Sequence, residues 1–321
     1  MDSAATDHPW QEGVRVSKQS NATSGPPPGP SSPAIFPLCP RDTRLRSHDG
    51  KITAIGTLGQ RPLARLGGML RIGAHVDQTD PLAEGRARGA DLVQFFLGDP
   101  QGWKKPVVPE LGDTTGTDLY VHAPYIVNLA STNNKIRIPS RKILLDQATA
   151  AASIGAKGLI VHGGHVTKGD EPGIGVENWV KAFQRMQAPL PILLENTAGG
   201  EHAMARRLDA LARLWDGIGG FPNVGFCLDT CHAHSGGEEL VTVVERVKAI
   251  TGRIDLVHCN DSRDAFGSGA DRHANLGDGS IDGEVLLAVV AAAGAPVVCE
   301  TPGGVDRQRA DIEWLRANLP A

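Results

Sequence analysis

The chain has 321 residues, 40% of them hydrophobic, ample for one large barrel of about 250 residues. No run approaches the roughly 18 uninterrupted apolar residues of a membrane span, and a formal net charge of −4 argues against holding nucleic acid by bulk positive charge. Cys39, Cys227, Cys231, Cys259 and Cys299 form an odd set with no CxxC pair, which fits reduced thiols in a cytoplasmic protein.

The opening MDSAATDHPWQEG lacks the basic and apolar regions of a secretory signal. Residues 20–37, SNATSGPPPGPSSPAIFP, are rich in Pro, Ser and Gly without an apolar period, which predicts disorder. Residues 1–68 carry eight Lys/Arg against five Asp/Glu, which leaves 69–321 at −7. Met69 then opens MLRIGAH, a first strand. Residues 1–68 therefore read as an N-terminal extension, either a tail or a stretch upstream of a start at Met69, and 69–321 as a single domain.

From Met69 onward the sequence predicts eight strands, at 70–75, 91–96, 118–122, 157–162, 190–195, 223–229, 255–260 and 296–300. Each is a short run rich in β-branched residues and Leu. The segments between them read as helices. In 138–155, Pro139 suits a first helical position and Gly155 a helix end. Segments 177–187 and 201–215 follow, and 236–250 carries an apolar stripe at helical spacing. Segment 282–293 starts at Asp282 as an N-cap and stops before Gly294. Eight strands with interleaved helices predict an α/β protein with a (β/α)8 TIM barrel. No GxGxxG follows the first strand, which weakens a dinucleotide-binding reading.

Six of the apolar runs end on a metal-binding side chain: His122, His162, Glu195, Asp229, His258 and Glu300. The steps between them are 40, 33, 34, 29 and 42 residues, about one strand-helix-strand unit each. In a barrel all six would converge at the carboxyl end, where active sites sit. Two further segments thicken the cluster. In LDTCHAH, His232 follows Asp229 by three residues, so the pair can face two different metals as the strand turns. In DRHANLGDG, Asp271 and His273 alternate, so both point the same way from an extended loop. Imidazole nitrogen and carboxylate oxygen suit zinc. Nine candidates are too many for one tetrahedral ion and about right for three if one carboxylate bridges. Cys227, Cys259 and Cys299 fall within strands and read as small buried hydrophobes.

These residues carry a resemblance. The chain resembles endonuclease IV, the deoxyribonuclease IV class of AP endonucleases, across 69–321. The matching motifs are GAHV at 73–76, HAPYIVNLAS at 122–131, HGGH at 162–165, ENTAGG at 195–200, CLDTCHA at 227–233, HCNDSRDAFGSGADRHANLGDG at 258–279 and CETP at 299–302. The resemblance implies a barrel with three zinc ions that cuts DNA 5′ to abasic sites, leaving a 3′-hydroxyl and a 5′-deoxyribose phosphate, in base excision repair. Carried over by position, His122, His162 and Glu195 hold one zinc. Glu195 bridges to a second, held by Asp229, His258 and Glu300. The third takes His232, Asp271 and His273. Such ions lower the pKa of a water toward neutrality, giving a hydroxide for in-line attack on the phosphate. The alternative on the same barrel is a sugar isomerase or epimerase, with one or two metals and no need for His232, Asp271 or His273.

The partner implied is double-stranded DNA with abasic sites or blocked 3′ ends, and a monomer suffices to cut a single lesion. Tyr125 resembles the family position that wedges into DNA. Gln101 stands where better-studied members place an intercalating Arg. Lys104, Lys105, Lys135, Arg137, Arg263 and Arg272 are candidate phosphate contacts. GGH at 163–165 and GSG at 267–269 would let backbone N–H groups approach phosphate. His165 and His234 read as groups that brace ligands or touch phosphate, and His75 as a structural or bracing histidine.

Overall fold

The computed structural model describes residues 70–320. The expected disorder at 20–37 and the start at Met69 lie outside the described residues. Among the described residues, eight parallel strands close a barrel. In chain order these are β1 (Ile72–His75), β2 (Leu92–Phe96), β3 (Asp118–His122), β4 (Gly158–His162), β5 (Ile192–Glu195), β6 (Val224–Asp229), β7 (Leu256–His258) and, after two short strands, β10 (Val297–Cys299). Each neighbours its successor and β10 pairs with β1, so the barrel leaves no free edge. All eight lie inside the runs expected from sequence. The short strands β8 (Asp261–Ser262) and β9 (His273–Ala274) form an antiparallel ribbon in the loop after β7.

The helices are α1 (Pro81–Arg88), α2 (Asn134–Ser153), α3 (Pro172–Arg185), α4 (Leu208–Ile218), α5 (Thr230–Gly236), α6 (Leu240–Thr251), α7 (Gly283–Ala293) and α8 (Gly304–Asn318). Asp282 caps α7 as expected, accepting from the Glu284 amide, and Gly294 ends it at φ 63°. Three expectations are corrected. Helix α2 starts before 138 because the Asn133 side chain accepts the Lys135 N–H, so Pro139 lies inside the helix and one backbone donor is lost there. Helix α4 begins at Leu208 rather than 201, where the Glu238 carboxylate takes the Leu208 N–H at 3.0 Å. No helix joins β2 to β3; residues 97–117 form a loop, since Pro100, Pro106 and Pro109 deny it donors.

Strand alternation puts residues i and i+2 on one face, and this builds the barrel interior in layers. Leu92, Tyr120, Ile160, Leu193, Cys227, Leu256 and Val298, one from each strand β2 to β7 and β10, pack together as a plug. The eighth strand supplies Gly73. A Cβ there would lie 1.8 Å from the Leu92 carbonyl oxygen, so only glycine lets β1 lie against β2. A larger core fills the space between strands and helices, with Trp179, Phe95 and Phe226 wholly enclosed.

Candidate metal centre

Two residues beyond each member of the plug, the same inward face carries His75, Gln94, His122, His162, Glu195, Asp229, His258 and Glu300. The six apolar runs thus end on ligand-type side chains because those positions are the next layer of a closed barrel. His232 joins them from the turn into α5, where Asp229 Oδ1 accepts the His232 N–H at 2.7 Å. His273 arrives on the β8–β9 ribbon, whose register sets it against Ser262, and Asp271 lies two residues before it in the connecting loop.

The donor atoms fall into three groups, each within 4.8 Å: His122, His162 and Glu195; Glu195, Asp229, His258 and Glu300; His232, Asp271 and His273. All nine residues expected from sequence are brought together. Glu195 belongs to two groups and divides its oxygens between them. Its Oε2 lies 3.1 Å from His122 Nε2 and 3.2 Å from His162 Nε2, while Oε1 lies 3.0 Å from His258 Nδ1. A further set of Asp229, Cys231 and His273 also converges, but burial pushes the Cys231 thiol up to about 12, so at neutral pH it is a protonated thiol.

Hydrogen bonds fix which imidazole nitrogen is free. A carbonyl oxygen only accepts, so His122 Nδ1, 2.7 Å from the Ala123 carbonyl, keeps its proton, and Nε2 is the nitrogen that a metal could take. The same logic frees Nε2 of His232, whose Nδ1 donates to the Asn196 carbonyl at 2.9 Å, and of His273, whose Nδ1 donates to the Glu300 carbonyl at 3.2 Å. His258 is reversed. Gln94 must turn its amide nitrogen to the Glu300 carboxylate, 2.6 Å away, so its oxygen accepts from His258 Nε2 at 2.8 Å and Nδ1 faces the group.

Gln94, Asn196 and Asn260 were not singled out in the sequence, yet all three brace candidate ligand side chains. Asn260 Nδ2 donates to Asp229 Oδ2 at 2.7 Å, and Asn196 Oδ1 accepts the Asp229 N–H at 2.8 Å. The signal was a lone amide inside an otherwise apolar strand, LVQFF, and the Asn after each of Glu195 and Cys259. His75 braces as expected, with Nδ1 3.3 Å from Glu300 Oε1.

The electrostatics fit cations. Burial pushes the Glu195 carboxyl up, but the imidazoles of His258 and His162 outweigh it and hold it well below the usual range. Asp271 is held low, against burial, by His232, and Glu300 by His258. Burial lowers His273, but Asp271 and Asp229 raise it to about 9. The cluster without ions therefore favours protons where divalent cations would serve as counter-charge. Geometry points the same way. His232 Nε2 and His273 Nε2 are buried and converge on Asp271 Oδ1, at 3.1 and 3.2 Å. Two imidazole nitrogens and a carboxylate oxygen at that spacing suit a shared ion once the imidazole protons are displaced.

Around this centre, Tyr125 is half exposed with its ring centroid 5.7 Å from that of His162. Its amide donates to the Pro100 carbonyl at 2.8 Å, which brings the loop bearing Gln101 alongside. Gln101, Lys104, Lys105, Lys135 and Arg263 are exposed. Arg137 bonds the Ser131 carbonyl at 3.0 Å, and Arg272 is held by both oxygens of Asp264. His165 is exposed and its amide donates to Asn128 Oδ1. Two expectations fail. The N–H groups of Gly267 and Gly269 are spent on the His234 and Ser235 carbonyls, at 3.0 and 2.8 Å, so GSG docks its loop on α5 instead of turning these N–H groups to phosphate. His234 Nε2 faces the Asp264 carbonyl and Ser280, each at 3.2 Å, so this histidine ties loops together.

Residues 82–318 match a protein-family model described as a xylose isomerase-like TIM barrel, the class that the closed barrel and its carboxyl-end site define. Within that class, a probable endonuclease 4 of Mycobacterium marinum is 57% identical over 251 residues, covering 77% of this chain and 98% of that protein. The crystal structure of endonuclease IV from Thermus thermophilus matches with a TM-score of 0.64 and 28% identity, covering 77% of this chain and 98% of that one. The chain belongs to the endonuclease IV family. A D-tagatose 3-epimerase-like protein matches with a TM-score of 0.63 at 17% identity, over 77% of this chain and 96% of its own; that likeness is of fold alone.

Proposed function

We propose that this barrel is a zinc-dependent AP endonuclease that hydrolyses the phosphodiester bond 5′ to abasic sites in double-stranded DNA. Its products are a 3′-hydroxyl and a 5′-deoxyribose phosphate, and its place is base excision repair in the cytoplasm. The observation that carries the reading is the third donor group, His232, Asp271 and His273, set beside two groups that share Glu195. Sugar chemistry on this barrel has no use for that third group. Family membership supports the same reading.

Three zinc ions would be held by the nine residues as grouped above, with residues 69–321 as the catalytic domain and a monomer sufficient. Bound there, they would neutralise phosphate charge and lower the pKa of a water. The chain's own residues supply the rest. Glu195, wholly buried, keeps one oxygen for each of two groups, which fixes their separation. Four carboxylates against three divalent ions leave the centre two positive charges, so an acidic protein still attracts phosphate at this mouth. Tyr125 presents a ring at the rim to pack in the gap left by a missing base. Gln101 offers that gap an amide without positive charge, while Lys104 and Arg263 lie free to meet phosphates. Arg272, held by Asp264, serves the same surface by setting the loop that carries Asp271.

Incubating the zinc-loaded protein with an end-labelled abasic duplex tests the reading. A single cut 5′ to the lesion with an extendable 3′ end is expected; an uncut strand, with folded protein, overturns it.

A further inference from the structure

Among the cations around the barrel mouth, Arg206 has an environment of its own. It lies in the loop between β5 and α4, half buried, with Nε closed off from solvent and no hydrogen-bond partner. Among the described residues its guanidinium makes no ion pair. Its neighbours are engaged: Arg207 Nε is 3.1 Å from Glu238 Oε1, and Arg213 pairs with Asp209 at 2.9 Å. Arg206, Arg207, Asp209, Arg213 and Phe266 line a depression of about 510 Å³.

The depression opens where the loop after β5 meets the loop after β7. A Cβ on Gly199 would fall 2.5 Å from the Gly269 carbonyl oxygen, and one on Gly269 would meet Arg206 Nη2 at 3.4 Å. The guanidinium therefore lies against Gly269, two residues before Asp271, which faces His232 at 3.1 Å. A partly buried guanidinium without acceptors is costly to keep, and its planar fork matches a phosphate.

We propose that Arg206 binds a non-scissile phosphate of the DNA strand whose neighbouring linkage occupies the centre. The inference rests on the DNA-cleaving reading of the barrel mouth and deepens it. Binding of an abasic duplex by zinc-loaded wild type, Arg206→Ala and Arg206→Lys, measured over a range of salt, tests it alongside steady-state cutting. Arg206→Ala should raise KM about tenfold with kcat unchanged, and flatten the slope of log Kd against log salt by about 0.9, one phosphate contact. Arg206→Lys should keep the wild-type slope. Melting temperature should not fall in either variant, because no bond within the fold is lost. An unchanged slope in Arg206→Ala overturns the proposal, and a lowered melting temperature with that slope marks a structural strut instead. Loss of inorganic phosphate binding with the duplex slope intact marks a free-anion site, and also overturns it. An uncut abasic strand with wild type refutes the catalytic reading separately, since the salt slopes score the contact without cutting.

Discussion

Glu195 shows how a single side chain sets the chemistry of its surroundings. Its two oxygens face different histidines, so an amide in its place would offer one oxygen and one N–H and could serve only one group. Replacing Glu195 with Gln should lower turnover by orders of magnitude while the fold persists; near-wild-type cutting by that variant would contradict the bridge. Gln94 acts one step removed, locking Glu300 and His258 together. Gln94→Ala should cost about 10–100-fold in metal affinity or activity, the range for groups that orient ligands, measured by competition with a chelator of known affinity. All nine candidate ligands could be picked out because each is a His, Asp or Glu at the end of an apolar run or in a polar motif, and the structure brings their donor atoms together. The bracing amides could not. Gln94 looks like one interruption in an apolar strand, and only barrel closure shows that it occupies the same layer as the ligands.

At the level of elements, the strands were legible and the loops were not. Apolar runs fix where strands lie, whereas helix α4 starts where Glu238, some thirty residues away, meets its first amide. The GSG segment misled for the same reason: its N–H groups belong to carbonyls on α5, which no local pattern reveals. The β8–β9 ribbon depends on Asp261, whose Oδ1 takes the Ser262 and Ile281 amides and Oδ2 those of Gly277 and Gly279. Each such charge-assisted bond is worth about 1.5–3 kcal/mol. Asp261→Ala should therefore speed hydrogen exchange across 261–281 by roughly 100-fold or more, with the barrel strands unaffected. Uniform exchange throughout the chain would show instead that the ribbon and barrel open together.

For the whole molecule, ions and protons compete for one buried cluster. His273 is raised to about 9, so its contribution to stability is complete below the ordinary value of 6.5 and lost as pH rises through 9. Asp271, Glu300 and Glu195 are held low, so theirs is present above the ordinary carboxylate range and lost in acid. The metal-free protein should then be most stable between about pH 4.5 and 6.5, with a melting temperature that declines toward pH 9. Zinc should abolish that decline by replacing the protons, and parallel curves with and without zinc would argue against a shared site. The same barrel serves sugar epimerases, so fold alone does not decide the chemistry. Elemental analysis of the purified, active protein tests the centre most directly. Close to three zinc ions per chain is the expected result, whereas one or two manganese or magnesium ions would contradict a three-ion centre.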